Sequence, residues 1–349
     1  MTDWKDTWKD IAEIFDKRLN LSLLQRYKNI GLFAHGDADG IASAIFMYTI
    51  LKPRCDNIEI IWTKPHLIGE HVNTDAYDLI IVVDIAVNNR DPHMTRRWIQ
   101  KHQKRLIWID HHMSYFKLRF PNVIIREKDS CIELIREIFA SFNIKFSGRA
   151  SDVLKHGHLS DIGQINNRYY KALKINLKAD ETRDEIFAYA TQHPKLEKVR
   201  ICNRKINEKA KIYDERIAPN TRRLFNSNSY AVGNTTFIDI RNCRTRTIDK
   251  TLLAFIAYEN SNFCVIKYYN NLEEKREYLN ISVKPNISVN LLKTFNLQSG
   301  AKYRITRPNI KAKVKSTFWK RGKNGRKEYI KMSIKWQDNE FVKFLNSSL

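Results

Sequence analysis

Short apolar runs alternate with helical patterns through the first half of the chain. Residues 30–34, 58–62, 79–83 and 106–109 read as strands buried on both faces, with helices expected over 41–51, 92–104 and 131–142. This alternation predicts an α/β fold with a parallel sheet, because parallel strands need crossover helices that cover the sheet. Upstream, Trp4, Trp8, Ile11 and Phe15 recur at helical spacing and predict an amphipathic helix over 4–28. Between about 165 and 218 the pattern turns helical and heavily charged, which predicts a linking region ending near Pro219-Asn220.

Strand and helix patterns then return: strand 236–240, helix 250–259, strands 263–269 and 278–284. After Ser299-Gly300 the chain alternates with period two. Ile310, Ala312, Val314, Ser316 and Phe318 oppose Lys311, Lys313, Lys315, Thr317 and Trp319. Beyond Lys323-Asn324-Gly325-Arg326, the residues Ile330, Met332, Ile334 and Trp336 oppose Tyr329, Lys331, Ser333 and Lys335. Asn-Gly between alternating runs predicts a β-hairpin. The expected organisation is a parallel-sheet N-terminal domain over 1–165, a helical linker over 166–220, and a smaller mixed α+β domain over 221–349 that carries a basic hairpin.

Composition refines this outline. The 349 residues are 43% hydrophobic and 28% charged, which excludes a disordered polycation, and no apolar run reaches membrane-spanning length. Met1-Thr2-Asp3-Trp4-Lys5 lacks the basic-then-apolar pattern of a secretory signal. Cys55, Cys131, Cys202, Cys243 and Cys264 form no C-x-x-C pair, which argues against a thiolate zinc site and a disulfide framework. A cytoplasmic protein with no membrane association is expected. The net charge of +23 is unevenly placed: residues 1–170 carry +3 and residues 171–349 carry +20, whereas nine of the ten histidines lie between His35 and His158. A nearly neutral catalytic half joined to a polyanion-binding half is the simplest reading.

Three of the predicted strands end on acidic clusters, at His35-Gly36-Asp37-Ala38-Asp39-Gly40, at Asp84 and at Asp110-His111-His112. Ligand sites in open α/β sheets lie at such carboxyl ends. Ser160-Asp161-Ile162-Gly163 supplies a further acid, preceded by His156 and His158, which read more readily as helix-end residues than as ligands. Taken singly, Asp37 and Asp39 could be helix caps and Asp84 an N-cap. Together the set offers carboxylates and imidazoles without a thiolate, which suits Mn²⁺, Mg²⁺ or Fe²⁺ better than structural zinc. Paired ions of this kind stabilise the attacking and leaving oxygens of a phosphoryl displacement.

In these four blocks, HGDADG, VVD, DHH and SDIG, residues 30–163 resemble the DHH phosphoesterase superfamily. HGDADG followed by Ile41-Ala42-Ser43-Ala44 is most similar to its archaeal and RecJ-like nuclease branch; small-molecule branches usually place the first His four residues before the first Asp, against two here. The resemblance implies two divalent cations, Mn²⁺ or alternatively Mg²⁺, with Asp84 bridging them. Asp37 would join it on one ion, and Asp39, His111 and Asp161 on the other. His112 would contact the scissile phosphate, Asp110 would hold a neighbouring histidine, and His35 would be a ligand or support one. Metal-activated water would be the nucleophile of a Mn-dependent phosphodiesterase.

The second half resembles the DHH-associated domain more distantly: its strand and short helix match 277–292, but Leu297-Gln298-Ser299-Gly300-Ala301-Lys302 stands where a Gly-Gly-His signature is expected. What this half offers instead is cationic. Lys311, Lys313, Lys315, Lys331 and Lys335, with Trp319 and Tyr329, combine phosphate neutralisation with stacking surface, and Lys320, Arg321, Lys323, Arg326 and Lys327 crowd the turn. Arg241, Arg244 and Arg246 read equally well as phosphate grips and as a solvated loop. The expectation is a nuclease or exonuclease on single-stranded DNA or RNA. Alternatives are an oligonucleotide or cyclic-dinucleotide phosphodiesterase, and a weakly active nucleic-acid-binding relative associated with replication or repair proteins.

Overall fold

A computed structural model describes residues 27–68, 74–88, 92–112, 118, 120–140, 144–175, 179–192, 197–241, 243, 247–269 and 277–284, with strand segments at 304–305, 312–315, 319–321 and 327–329. The amphipathic helix expected over 4–28 lies outside the described residues but for its last two positions. The chain divides into two compact units, Met1–Lys211 and Ile212–Leu349.

The first unit is built on a five-stranded, wholly parallel sheet in the order β2-β1-β3-β4-β5. Its strands are β1 (Asn29–His35), β2 (Asn57–Thr63), β3 (Leu79–Val83), β4 (Leu106–Asp110) and β5 (Val123–Ile125). Helix α1 (Ala38–Leu51) follows β1, α2 (Pro92–His102) precedes β4, and α3 (Cys131–Ile138) follows β5. Period-two alternation sends Ile81 and Val83 to one face and Ile80 and Val82 to the other. The second face packs on Trp98 and Ile99 of α2, the first on α1 and α3.

Strand β2 differs from expectation. It pairs only with β1, and Asn57 and Glu59 are exposed, so it is an edge strand, not one buried on both faces. The three-residue β5 carries too short an apolar run to announce itself. Helix α1 begins three residues before its apolar pattern, because Asp37 caps it by accepting from the Gly40 N–H at 3.1 Å.

Among the described residues, four further helices follow: α4 (Gly148–Asp161), α5 (Arg168–Lys174), α6 (Ala179–Thr191) and α7 (Glu197–Ile212). Tyr169, Ala172, Ile186, Ala190 and Ile206 join the same core as β1 and α1. The segment expected as a linker thus supplies core. Pro219 stands in the first turn of α8 (Ala218–Asn228), after a π-helical turn over Tyr213–Ile217, and marks no break in the chain's helical run.

The second unit holds a mixed six-stranded sheet, β10-β11-β9-β8-β7-β6. These strands are β6 (Ser229–Val232), β7 (Thr235–Asp239), β8 (Phe263–Tyr269), β9 (Glu277–Val283), β10 (Arg304–Ile305) and β11 (Ala312–Lys315). Strands β7 and β8 are parallel and joined through α9 (Lys250–Ala257), whose Leu253, Ala254 and Ala257 pack on Ile238, Cys264 and Ile266. The alternating run expected over 310–319 is divided: β11 joins the large sheet beside β9, while β12 (Trp319–Arg321) forms a separate antiparallel pair with β13 (Lys327–Tyr329). In that pair Trp319 is the register partner of Tyr329. Lys311, Lys323, Arg326, Lys331 and Lys335 lie outside the described residues, as do Arg244 and Arg246.

Candidate metal centre

Strands β1, β3 and β4 are neighbours in the sheet, so their carboxyl ends bring three acidic segments together. Asp37 sits at the N-cap of α1 and Asp39 in its first turn. Asp110 ends β4, and His111 and His112 follow it into the loop. Asp84, just past β3, adopts φ 55° while its N–H donates to the Ile109 carbonyl at 3.0 Å. No helix starts there, so the N-cap reading of Asp84 does not hold. Helix α4 brings the fourth segment. Gly157 lies against Ala38 and Ala42 of α1, where a Cβ would collide with both residues, and this close approach carries Asp161, one turn later, to Asp39 and His111.

Two sets of ligand atoms result. His35, Asp37 and Asp84 form one, and Asp39, His111 and Asp161 the other, each with its atoms within 4.8 Å of one another. The His35 Nδ1 is 2.8 Å from Asp37 Oδ2 and 3.9 Å from Asp84 Oδ2. The His111 Nε2 is 3.4 Å from Asp84 Oδ1, 3.4 Å from Asp161 Oδ2 and 3.8 Å from Asp39 Oδ2. Asp84 therefore faces both sets, one oxygen toward each. Asp84, Asp110, His111 and His112 form a third, overlapping group.

Burial makes this arrangement unfavourable without cations. Asp39, Asp84, Asp110, His111 and His112 are all buried. Both Asp84 oxygens and the His111 Nε2 lack a hydrogen-bond partner among the described residues. Burial, reinforced by Asp161, pushes the Asp39 carboxyl up to about 7, and burial with the charges of Asp37 and Asp39 pushes Asp84 well above the usual carboxylate range. Burial opposes protonation of His111, but the Asp84 carboxylate and the charges of Asp161 and Asp39 prevail and raise it to about 11. A buried group of like charges that holds protons above its ordinary range is a ready site for divalent cations, and oxygen donors with one or two imidazoles fit Mn²⁺ or Mg²⁺.

The surroundings fix the orientation of these groups. The His111 Nδ1 meets the Lys128 carbonyl at 3.0 Å, a contact only an Nδ1–H can make, which leaves Nε2 directed at the carboxylates. The His112 Nδ1 lies 2.7 Å from Asp110 Oδ1, so Asp110 orients that ring. Asp39 accepts from the Cys131 and Ile132 N–H groups at 2.6 and 3.0 Å, at the N-terminus of α3. These backbone donors escaped sequence reasoning; the visible trace is Ser130, which caps α3 by accepting from Glu133 N–H. Arg183 of α6 escaped it too, and its Nε donates to the Gly36 carbonyl at 2.9 Å. His156 and His158 are engaged elsewhere, with Asp152 at 3.3 Å and Ser130 Oγ at 2.9 Å.

Residues 29–157 match the DHH family, N-terminal domain. No curated protein matches the chain by sequence. Among solved structures, the fold is similar to a pGpG-specific phosphodiesterase, PggH, of Vibrio cholerae, with TM-score 0.54 and 12% identity over 92% of this chain and 100% of that one. It is also similar to RecJ of Thermus thermophilus in complex with Mn²⁺, with TM-score 0.53 and 11% identity over 88% of this chain and 51% of that one. The chain thus spans about half the length of that RecJ. A manganese-bound exonuclease RecJ gives TM-score 0.51 and 12% identity over 88% of this chain and 89% of that one. The parallel sheet and the Asp110-His111-His112 segment at the end of β4 both lie within residues 29–157, the part of the chain that matches the DHH family, N-terminal domain.

Proposed function

We propose that the protein is a two-cation phosphodiesterase acting on single-stranded DNA or RNA. The observation that carries this reading is Asp84, a buried carboxylate with one oxygen toward His35 and Asp37 and the other toward His111. Divalent cations, when bound, supply Lewis acidity to the phosphoryl oxygens and lower the pKa of water. Asp37, His35 and Asp84 would hold one, and Asp84, Asp39, His111 and Asp161 the other. Asp110 sets the orientation of His112, and His112 contacts the scissile phosphate. Water's oxygen adds to phosphorus, one ester P–O bond breaks, and the products are a phosphomonoester and an alcohol.

The charge distribution favours a long substrate. The near-neutral first half leaves the local positive potential to its cations, and the +20 of residues 171–349 suits a polyanion extending beyond one phosphodiester. Lys313, Lys315, Lys320, Arg321 and Lys327 fall on strands, with Trp319 and Tyr329 paired in register, the combination that single-strand binders use. A second reading is a phosphodiesterase for short oligonucleotides or cyclic dinucleotides. Its support is that a pGpG-specific phosphodiesterase has this fold over its whole length. Cytoplasmic location and association with replication or repair proteins belong to the first reading.

The test incubates end-labelled single-stranded DNA and RNA, and pGpG, with Mn²⁺ and reads the product ladder from each end. A ladder from long strands, lost in Asp84→Ala with binding retained, supports the first reading. Cleavage of pGpG alone supports the second. Cleavage of neither, with long-strand binding intact, would leave a binding protein and overturn both.

A further inference from the structure

Arg183 lies 147 residues from Gly36 in sequence, yet its side chain is largely buried against Gly36, the residue between His35 at the end of β1 and Asp37 at the N-cap of α1. Its Nε donates to the Gly36 carbonyl at 2.9 Å, and its Nη1 pairs with Asp180. A Cβ at residue 36 would fall on the guanidinium, so glycine there makes room for Arg183. Gly36 is not in the left-handed region, and space alone is what the position requires.

The helix that presents Arg183 is anchored independently of it. Asp184 accepts from Trp62 Nε1 at 2.8 Å, Phe187 packs edge-on against Tyr48 and Trp62, and Glu185 is held by Lys205 and Lys209. Arg183 thus reaches from a fixed element to a short segment past the end of β1, where strand pairing no longer restrains the backbone. Of the two ligand sets, only His35, Asp37 and Asp84 draw on that segment. Asp39, in the first turn of α1, is held instead by the N–H groups of Cys131 and Ile132.

We propose that Arg183 is a positioning residue: by gripping the Gly36 carbonyl it sets the divalent-cation affinity of the His35–Asp37–Asp84 set and leaves that of the Asp39–His111–Asp161 set unchanged. The inference rests on the two-cation reading above. A charge-assisted hydrogen bond to the peptide between two ligands holds both in register, and a planar guanidinium makes that contact in one geometry only.

The test is calorimetric titration of the metal-free 349-residue chain with MnCl₂. Wild type should show two binding steps. Arg183→Ala should weaken one about tenfold and leave the other within about twofold, the retained step certifying that the unit is folded. Gly36→Ala, which displaces the guanidinium, should weaken the same step, and the double variant should be no weaker than either single one. Arg183→Lys, which keeps the charge without the fork, should remain weak. Unchanged affinities in Arg183→Ala, additive losses in the double variant, or full recovery with Lys would each overturn the proposal. Failure of wild type to bind Mn²⁺ at all would instead overturn the reading beneath it.

Discussion

Asp84 combines three costs at one position: a left-handed backbone, a buried charge and two carboxylate neighbours. The backbone alone costs about 1 kcal/mol relative to glycine. Asp84→Asn removes the repulsion and should stabilise the metal-free protein by about 1 kcal/mol or more, while abolishing the rise in melting temperature on adding Mn²⁺. Thermal unfolding with and without Mn²⁺ checks both halves; a lower metal-free stability would count against a cluster held together by cations. The neighbouring groups give the pH dependence. Asp39 is raised to about 7 from 3.8, so between those values the folded state holds a proton that the unfolded state lacks. Its stabilisation is full on the acid side and falls as pH rises to about 7. His111, raised to about 11 from 6.5, continues the same sign over the next window. Metal-free melting temperature should therefore fall between about pH 5 and about pH 9, and the increment produced by Mn²⁺ should grow over that range as cations replace protons. Parallel melting curves at several pH values measure this; an increment independent of pH would contradict it.

At the scale of elements, the crossing of α1 and α4 decides whether the fourth acidic segment reaches the other three. Gly157→Val would push the helices apart, cost about 1–3 kcal/mol by overpacking and weaken cation binding at Asp39, His111 and Asp161 before it unfolds the unit. Unfolding by urea, paired with a Mn²⁺ titration, separates the two effects. The contrast between these helix packings and the motifs shows what sequence can carry. Asp37, Asp39, Asp84, Asp110 and His111 were legible because each follows an apolar strand run, and strand ends are local features. The amides of Cys131 and Ile132, the Lys128 carbonyl and the Arg183 guanidinium were not, because each meets its partner only through tertiary packing. Helices over 168–174, 179–191 and 197–212 were legible as helices but not as core. Their dense charge describes the solvent side and masks short buried stripes such as Val199, Cys202, Ile206 and Ala210, which face the core.

For the whole molecule, the partition of charge is what the proposed function draws on: residues 1–170 carry +3 and residues 171–349 carry +20. If residues 171–349 track a strand, affinity for single-stranded DNA should fall steeply with salt. Replacing Lys313, Lys315 and Lys327 by Gln should then flatten the slope by about 0.7 for each phosphate that is no longer neutralised. Fluorescence anisotropy at several salt concentrations measures that slope; an unchanged slope would assign the positive charge another role. The hairpin itself was legible from Asn324-Gly325, but the division of its first strand between two sheets was not, since alternation continues unbroken from 310 to 319.

Helix α1 has one more consequence. All of it but Tyr48 and Thr49 is buried, and its apolar surface is covered by residues of α3, α4, α5 and α6 as well as by the sheet. Synthesis is vectorial, so α1 emerges from the ribosome long before residues 148–206, which close over it. A nascent chain halted before Gly148 would display that surface to chaperones and proteases, whereas one extended through Lys211 could bury it. The acid that completes the second ligand set, Asp161, arrives with the same helices, so the capacity to bind cations and the protection of the nascent core should appear together during translation.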